Sequence, residues 1–166
     1  MELLHNGIIV NENLAQRGFV VISDRFIARV GCGDAPQELI DVCDTVTDVH
    51  GAYILPGVID DHVHMREPGL THKACIASES RAAVAGGITS FMDMPNVKPA
   101  TTTVEALHDK MKRAAENSVA NYSFYLGATN DNLDSLKAAD YSRTPGVKVF
   151  MGSSTGGMLV NDEDTL

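Results

Sequence analysis

Basic residues are in short supply: 13 Lys and Arg stand against 22 Asp and Glu, a formal charge of −9, and no Lys/Arg cluster breaks the acidic background. Without such a cluster the chain has no electrostatic footprint for a polyanion, so nucleic acid and anionic membrane surfaces are excluded as partners. Long apolar runs are missing too. No stretch approaches the roughly 18 to 20 residues of a membrane span, and the N-terminal MELLHNGIIVNENL carries neither the basic flank nor the cleavage site of a secretory leader. A cytoplasmic location is therefore expected. Cysteine is sparse and odd in number. Cys32, Cys43 and Cys75 match no C-x-x-C or zinc-knuckle spacing, which argues against a disulfide framework and for three ordinary buried or half-buried thiols in a reducing compartment. What the chain does have is apolar material, 44% of its 166 residues, enough for the core of a soluble globular fold.

The rhythm of the sequence changes near residue 55. Residues 1–55 hold short β-type runs, LLHNGIIV, GFVVISD, RFIARVG and DVCDTVTDV, punctuated by Asn, Gly, Asp and Pro, with APQELIDV offering one helical turn. This predicts a small β-rich domain, sandwich-like in character. Residues 56–166 alternate instead: strand VIDDHVH, helix THKACIASESRAAVAGG, strand ITSFMDMP, helix TTVEALHDKMKRAAEN, strand VANYSFYLGA, helix DNLDSLKAAD, strand VKVFMGS. Alternation of this kind predicts an α/β fold of parallel strands joined by right-handed helical crossovers. In the second helix Thr101 to Thr103 are N-cap candidates, and Ala106, Leu107, Met111, Ala114 and Ala115 form the expected apolar stripe. Four strand–helix units are half of what a (β/α)₈ TIM barrel needs, and the final NDEDTL reads as the start of a further helix. The expectation is a truncated half-barrel, whose unpaired strand edges would leave the isolated piece poorly stable.

Chemistry concentrates in GVIDDHVHMREPG. His62 and His64 are two apart at the end of an apolar run, and on a strand such residues share a face with Cα atoms about 6.6 Å apart, so both imidazoles can converge on one metal ion. Two satisfied core histidines are the plain alternative. Arg66 continues the parity and offers a planar fork of donors to a carboxylate, or else pairs with adjacent Glu67. Asn96, in DMPN, follows the second barrel strand. Lys148 lies within the fourth, flanked by Val147 and Val149, which points it inward. Burial would favour a neutral ε-amine able to add carbon dioxide and become a metal-bridging carbamate; a lysine snorkelling to the rim fits the same pattern. All these positions obey the barrel rule that reactive groups project from the C-terminal ends of strands. Asp61 has the opposite parity, and an unpaired carboxylate against the helix layer would be costly. GCGD at 31–34 and GSSTGG at 152–157 lack the G-K-[ST] ending of a phosphate loop.

In these residues the chain resembles the N-terminal portion of the dihydroorotases, members of the metal-dependent amidohydrolase superfamily. PGVIDDHVHMREPG resembles that family's signature, DMPNVKPATTT its second block and GVKVFMGSSTGGMLV its lysine block, in the right order. The resemblance implies two Zn²⁺ per complete subunit, with His62 and His64 on the more buried ion and carboxylated Lys148 bridging both. It implies that Arg66 and Asn96 hold the substrate carboxylate, and that the reaction interconverts dihydroorotate and N-carbamoyl-L-aspartate in pyrimidine biosynthesis. The remaining ligands and the general acid/base aspartate would come from later strands, so no catalytic acid or base is expected within these residues and the fragment alone would be inactive. The expected partner is the small-molecule substrate, and a homo-oligomer is allowed. Hydantoinases and allantoinases share H-x-H but usually lack the counterparts of Arg66 and Asn96; a non-catalytic scaffold subunit is the other alternative.

Overall fold

A computed structural model describes residues 1–153 and 157–166, so Ser154, Thr155 and Gly156 of the GSSTGG run lie outside the described residues. The chain divides into two compact units, Met1–Pro56 and Gly57–Leu166.

In the first unit β1 (Glu2–Asn11), β2 (Leu14–Ser23) and β3 (Phe26–Cys32) form an antiparallel meander. Glu12 and Asn13 both have positive φ, the conformation a two-residue hairpin requires to match strand twist. After α1 (Gln37–Val42), β4 (Thr45–Asp48) and β5 (Tyr53–Ile54) pair with β1 in parallel, giving a five-stranded sheet. Leu3, Phe19 and Val21 are buried on one face, where Ala35, Leu39, Ile40 and Cys43 pack against them. All three cysteines are free thiols; Cys43 and Cys75 are half-buried as expected, but Cys32, at the end of β3, is exposed.

In the second unit β6 (Val58–Val63), β7 (Ile88–Asp93) and β8 (Asn121–Phe124) pair in parallel in that order. The connections are α2 (Ile76–Ala85) and α3 (Val104–Asn117). A separate parallel pair follows, β9 (Leu126–Gly127) with β10 (Val147–Lys148), connected through α4 (Leu133–Ala138). The strand–helix alternation thus gives a parallel α/β arrangement. Met65, Ile76, Phe91, Leu107, Ala114, Phe124 and Leu126 make the core between sheet and helices.

Several boundaries depart from expectation for local reasons. Helix α2 starts at Ile76 rather than near Thr71, because the Ile76 N–H, one of the helix's orphan donors, is taken by Glu67 Oε2 at 3.0 Å. The strand expected over 119–128 breaks at Tyr125, whose N–H donates to Asp93 O at 3.1 Å. The fourth strand is two residues long, and NDEDTL is a turn, with Asp162 O accepting from the N–H groups of Thr165 and Leu166. On α3, Thr103 caps as the sequence suggests, accepting from the Ala106 N–H at 3.2 Å. Its buried face, however, is Leu107, Lys110 and Ala114, with Met111 half-buried, while Ala115 is exposed. A lysine occupies a core position that apolar periodicity leaves blank.

Two irregularities interrupt the β6–β7 ladder. Val58 pairs with Ile88 and Ile59 with Ser90, leaving Thr89 as an extra residue on β7; Asp60 pairs with Phe91 and Val63 with Asp93, leaving an extra residue on β6. Simple alternation therefore fails across Asp61 and His62. It also accounts for Asp61: the residue sits in the bulge and is exposed to solvent rather than pressed into the helix layer.

Candidate functional site

After the bulge the alternation resumes. Val63 and Met65 turn into the core, with Met65 3% exposed, while the rings of His62 and His64 lie together with centroids 5.6 Å apart. Beyond the strand the chain turns at Arg66, which has φ +66° and whose carbonyl accepts from the Leu70 N–H at 3.0 Å. Arg66 is half-buried close to His64, and Asn96 lies against the same ring. Glu67, the alternative partner of Arg66, is engaged elsewhere: it caps α2 and lies 3.8 Å from Arg113.

Burial lowers the pKa of His64, the Arg66 charge and His62 push it the same way, and Asp93 and Asn96 oppose them. Each lowering influence favours the neutral imidazole, the form that binds a metal. Asn96 Oδ1 is buried beside the His64 ring and makes no hydrogen bond of good geometry among the described residues. Among the described residues no three His, Cys, Asp or Glu side chains converge, so these imidazoles fit as two donors of a metal site rather than as a complete one.

Lys148 is half-buried on β10, its Nζ 5.1 Å from the centroid of the Phe150 ring. Val147 and Val149 line a groove with Leu133 and Leu136 of α4, and Lys148 has the opposite parity. It belongs to the β9–β10 pair, whereas His62 is on β6 and His64 is one residue beyond that strand's end.

Two loops carry the polar groups, and they are tied together. The Lys98 N–H donates to Pro68 O at 3.1 Å, and Gly69, at φ +77°, lies so near that a Cβ there would fall 1.9 Å from the Lys98 carbonyl oxygen. Arg66 and Asn96 are therefore held on two loops in fixed relation.

The sequence reading missed the buried pair beneath them. Asp93, 0% exposed, receives the Met65 N–H on Oδ1 at 2.8 Å and pairs through Oδ2 with the Lys110 ammonium. Lys110 is also 0% exposed; it donates to Met94 O at 3.1 Å and lies 4.8 Å from the Phe124 ring centroid. Burial pushes the lysine pKa down and Asp93 opposes it. The signal available was an aspartate ending the strand ITSFMD, followed by a helix whose lysine stands three residues after Leu107.

A parallel α/β unit thus presents H-x-H at a strand end, with an arginine and an asparagine beside it. A family profile described as Dihydro-orotase-like matches residues 51–144, and the chain belongs to that family. The dihydroorotase of Methanosarcina acetivorans is 40% identical over 161 residues, covering 96% of this chain and 33% of that protein. The allantoinase of Deinococcus radiodurans is 35% identical over 150 residues, 86% of this chain and 34% of that one. Among solved structures, L-hydantoinase (dihydropyrimidinase) from Arthrobacter aurescens superposes with a TM-score of 0.86 at 25% identity, over 98% of this chain and 36% of that one. The chain thus spans about a third of the length of these relatives. No helix among the described residues is long and apolar enough to cross a membrane.

Proposed function

We propose that the full-length protein is a zinc-dependent dihydroorotase, hydrolysing the ring amide of dihydroorotate reversibly to N-carbamoyl-L-aspartate in the cytoplasm. Residues 56–166 would be the first four units of a (β/α)₈ barrel, a reading supported by the parallel β6–β7–β8 order. The observation that carries the substrate assignment is the placement of Arg66 and Asn96 beside His64, donors that a carboxylate-bearing ring needs and a plain hydantoin does not. His62 and His64 would donate imidazole nitrogens to the metal. Lys148, after its neutral amine adds carbon dioxide and releases a proton, would donate carbamate oxygens. Zinc, when bound, supplies Lewis acidity for amide hydrolysis. Arg66 would orient the substrate by its carboxylate, fixing the scissile amide near the histidines.

The allantoinase relative at 35% identity and the hydantoinase-like structure favour a second reading, a cyclic amidohydrolase of different substrate. Zinc content and turnover of the full-length protein decide among them. About two zinc ions per chain with turnover of dihydroorotate is the expected result. Zinc with turnover of allantoin or hydantoin alone favours the second reading, and neither metal nor turnover makes the protein a scaffold.

A further inference from the structure

A buried ion pair is poor value as a stabilising device, because desolvation cancels much of its attraction and an apolar pair of like volume often does as well or better. Asp93 and Lys110 are both 0% exposed, yet the cluster around them is otherwise hydrophobic. What distinguishes the pair is its target. Asp93 Oδ1 receives the N–H of Met65, the residue between His64 and Arg66, just beyond the last β6–β7 ladder pair. Two residues earlier in that segment, Val63 O accepts from the Met94 N–H at 2.9 Å. Val63 to Met65 are thus gripped at both ends by the 93–94 dipeptide of the neighbouring strand. Lys110 in turn holds that dipeptide from α3, pairing with the Asp93 carboxylate and donating to Met94 O.

We infer that Asp93 and Lys110 are positioning residues that aim His64 and Arg66 by clamping the Met65 amide. The inference rests on the metal-site reading above. It explains why a charged pair is kept where packing alone would be cheaper: a carboxylate acceptor directed at one backbone N–H fixes a register just after a bulge, where the ladder no longer does so.

Two double variants of the full-length protein separate aim from bulk stability. D93N/K110M removes both charges but keeps a side-chain oxygen for the Met65 N–H; D93L/K110M removes that oxygen as well. Zinc affinity is measured by chelator competition alongside the melting temperature and the exchange protection of the Met65 amide. The expected result is zinc affinity within about threefold of wild type for D93N/K110M, and about 10- to 100-fold weaker for D93L/K110M, with loss of Met65 protection. Equal zinc affinity in the two variants overturns the inference while leaving the metal site standing. A wild-type protein that takes up no zinc overturns the metal site and the inference with it. Should either double variant fail to fold, Lys110→Met alone decides. A weakening of about three- to tenfold together with lost protection of the Met65 amide supports the clamp, and unchanged affinity overturns it.

Discussion

Replacing Gly69 by alanine tests how the candidate site is assembled. Gly69 has φ +77°, which costs an L-residue about 1–2 kcal/mol, and its new Cβ would meet the Lys98 carbonyl oxygen at 1.9 Å. That oxygen is backbone and cannot rotate away. It would have to retreat to at least 3.4 Å, so the two loops must part by about 1.5 Å, with a further strain of about 1–3 kcal/mol. Because Arg66 is on one loop and Asn96 on the other, the displacement separates the two groups proposed to share a carboxylate. Misplacement of about 1 Å can cost about 100-fold, so KM for dihydroorotate should rise by at least about tenfold. Gly87 provides the control: it has φ +87° and nothing within 4 Å of a built Cβ, so Gly87→Ala should lose only the conformational share, about 1–2 kcal/mol, with KM unchanged. Chemical denaturation and steady-state kinetics on the two full-length variants make the comparison. Equal stability losses, with KM unmoved in Gly69→Ala, would refute the coupling of the loops.

Lys148→Ala should lower zinc content and abolish most activity, with partial rescue by short carboxylic acids; full activity without rescue would remove the carbamate role. Arg66→Lys keeps the charge but loses the planar fork, so KM should rise by about tenfold with kcat little changed; an unaltered KM would take Arg66 out of the carboxylate site. The lowered pKa of His64 has a signed consequence for the metal-free protein. The unfolded chain takes up a proton near pH 6.5 while the folded ring stays neutral, so this contribution is intact above about pH 6.5 and declines as pH falls through that value. Denaturation midpoints at pH 7.5 and 5.5 should therefore differ less in His64→Gln than in wild type, and an identical pH dependence would contradict the assignment.

The alternation of strand and helix beyond residue 57 was legible because apolar runs switch visibly between two periodicities, and because Thr103 and Gly86 mark helix ends by chemistry that acts locally. What escaped the sequence depends on partners distant along the chain. Lys110 breaks the apolar stripe of α3, and only the Asp93 carboxylate across the interface makes its burial tolerable. The start of α2 is set by Glu67, nine residues earlier, and the break at Tyr125 by the carbonyl of Asp93. Parity brought His62 and His64 together correctly as neighbours, but not for Asp61, because a bulge is a matter of pairing between strands. Arg66 reaches the vicinity of His64 through a left-handed turn rather than by continued strand alternation.

The two kinks in the β6–β7 ladder have opposite sense: Thr89 is surplus on one strand, a residue at Asp61–His62 on the other, and the pairing at Val63 and Asp93 regains the offset it had at Val58 and Ile88. The strands thus fall out of step and back into step within half a dozen residues, and each kink is the other's compensation. Deleting Thr89 alone would leave the two strands one residue out of phase at Val63 and Asp93. Deleting one residue from each strand would restore the phase, so the length of this stretch can drift over evolutionary time only in matched pairs of events.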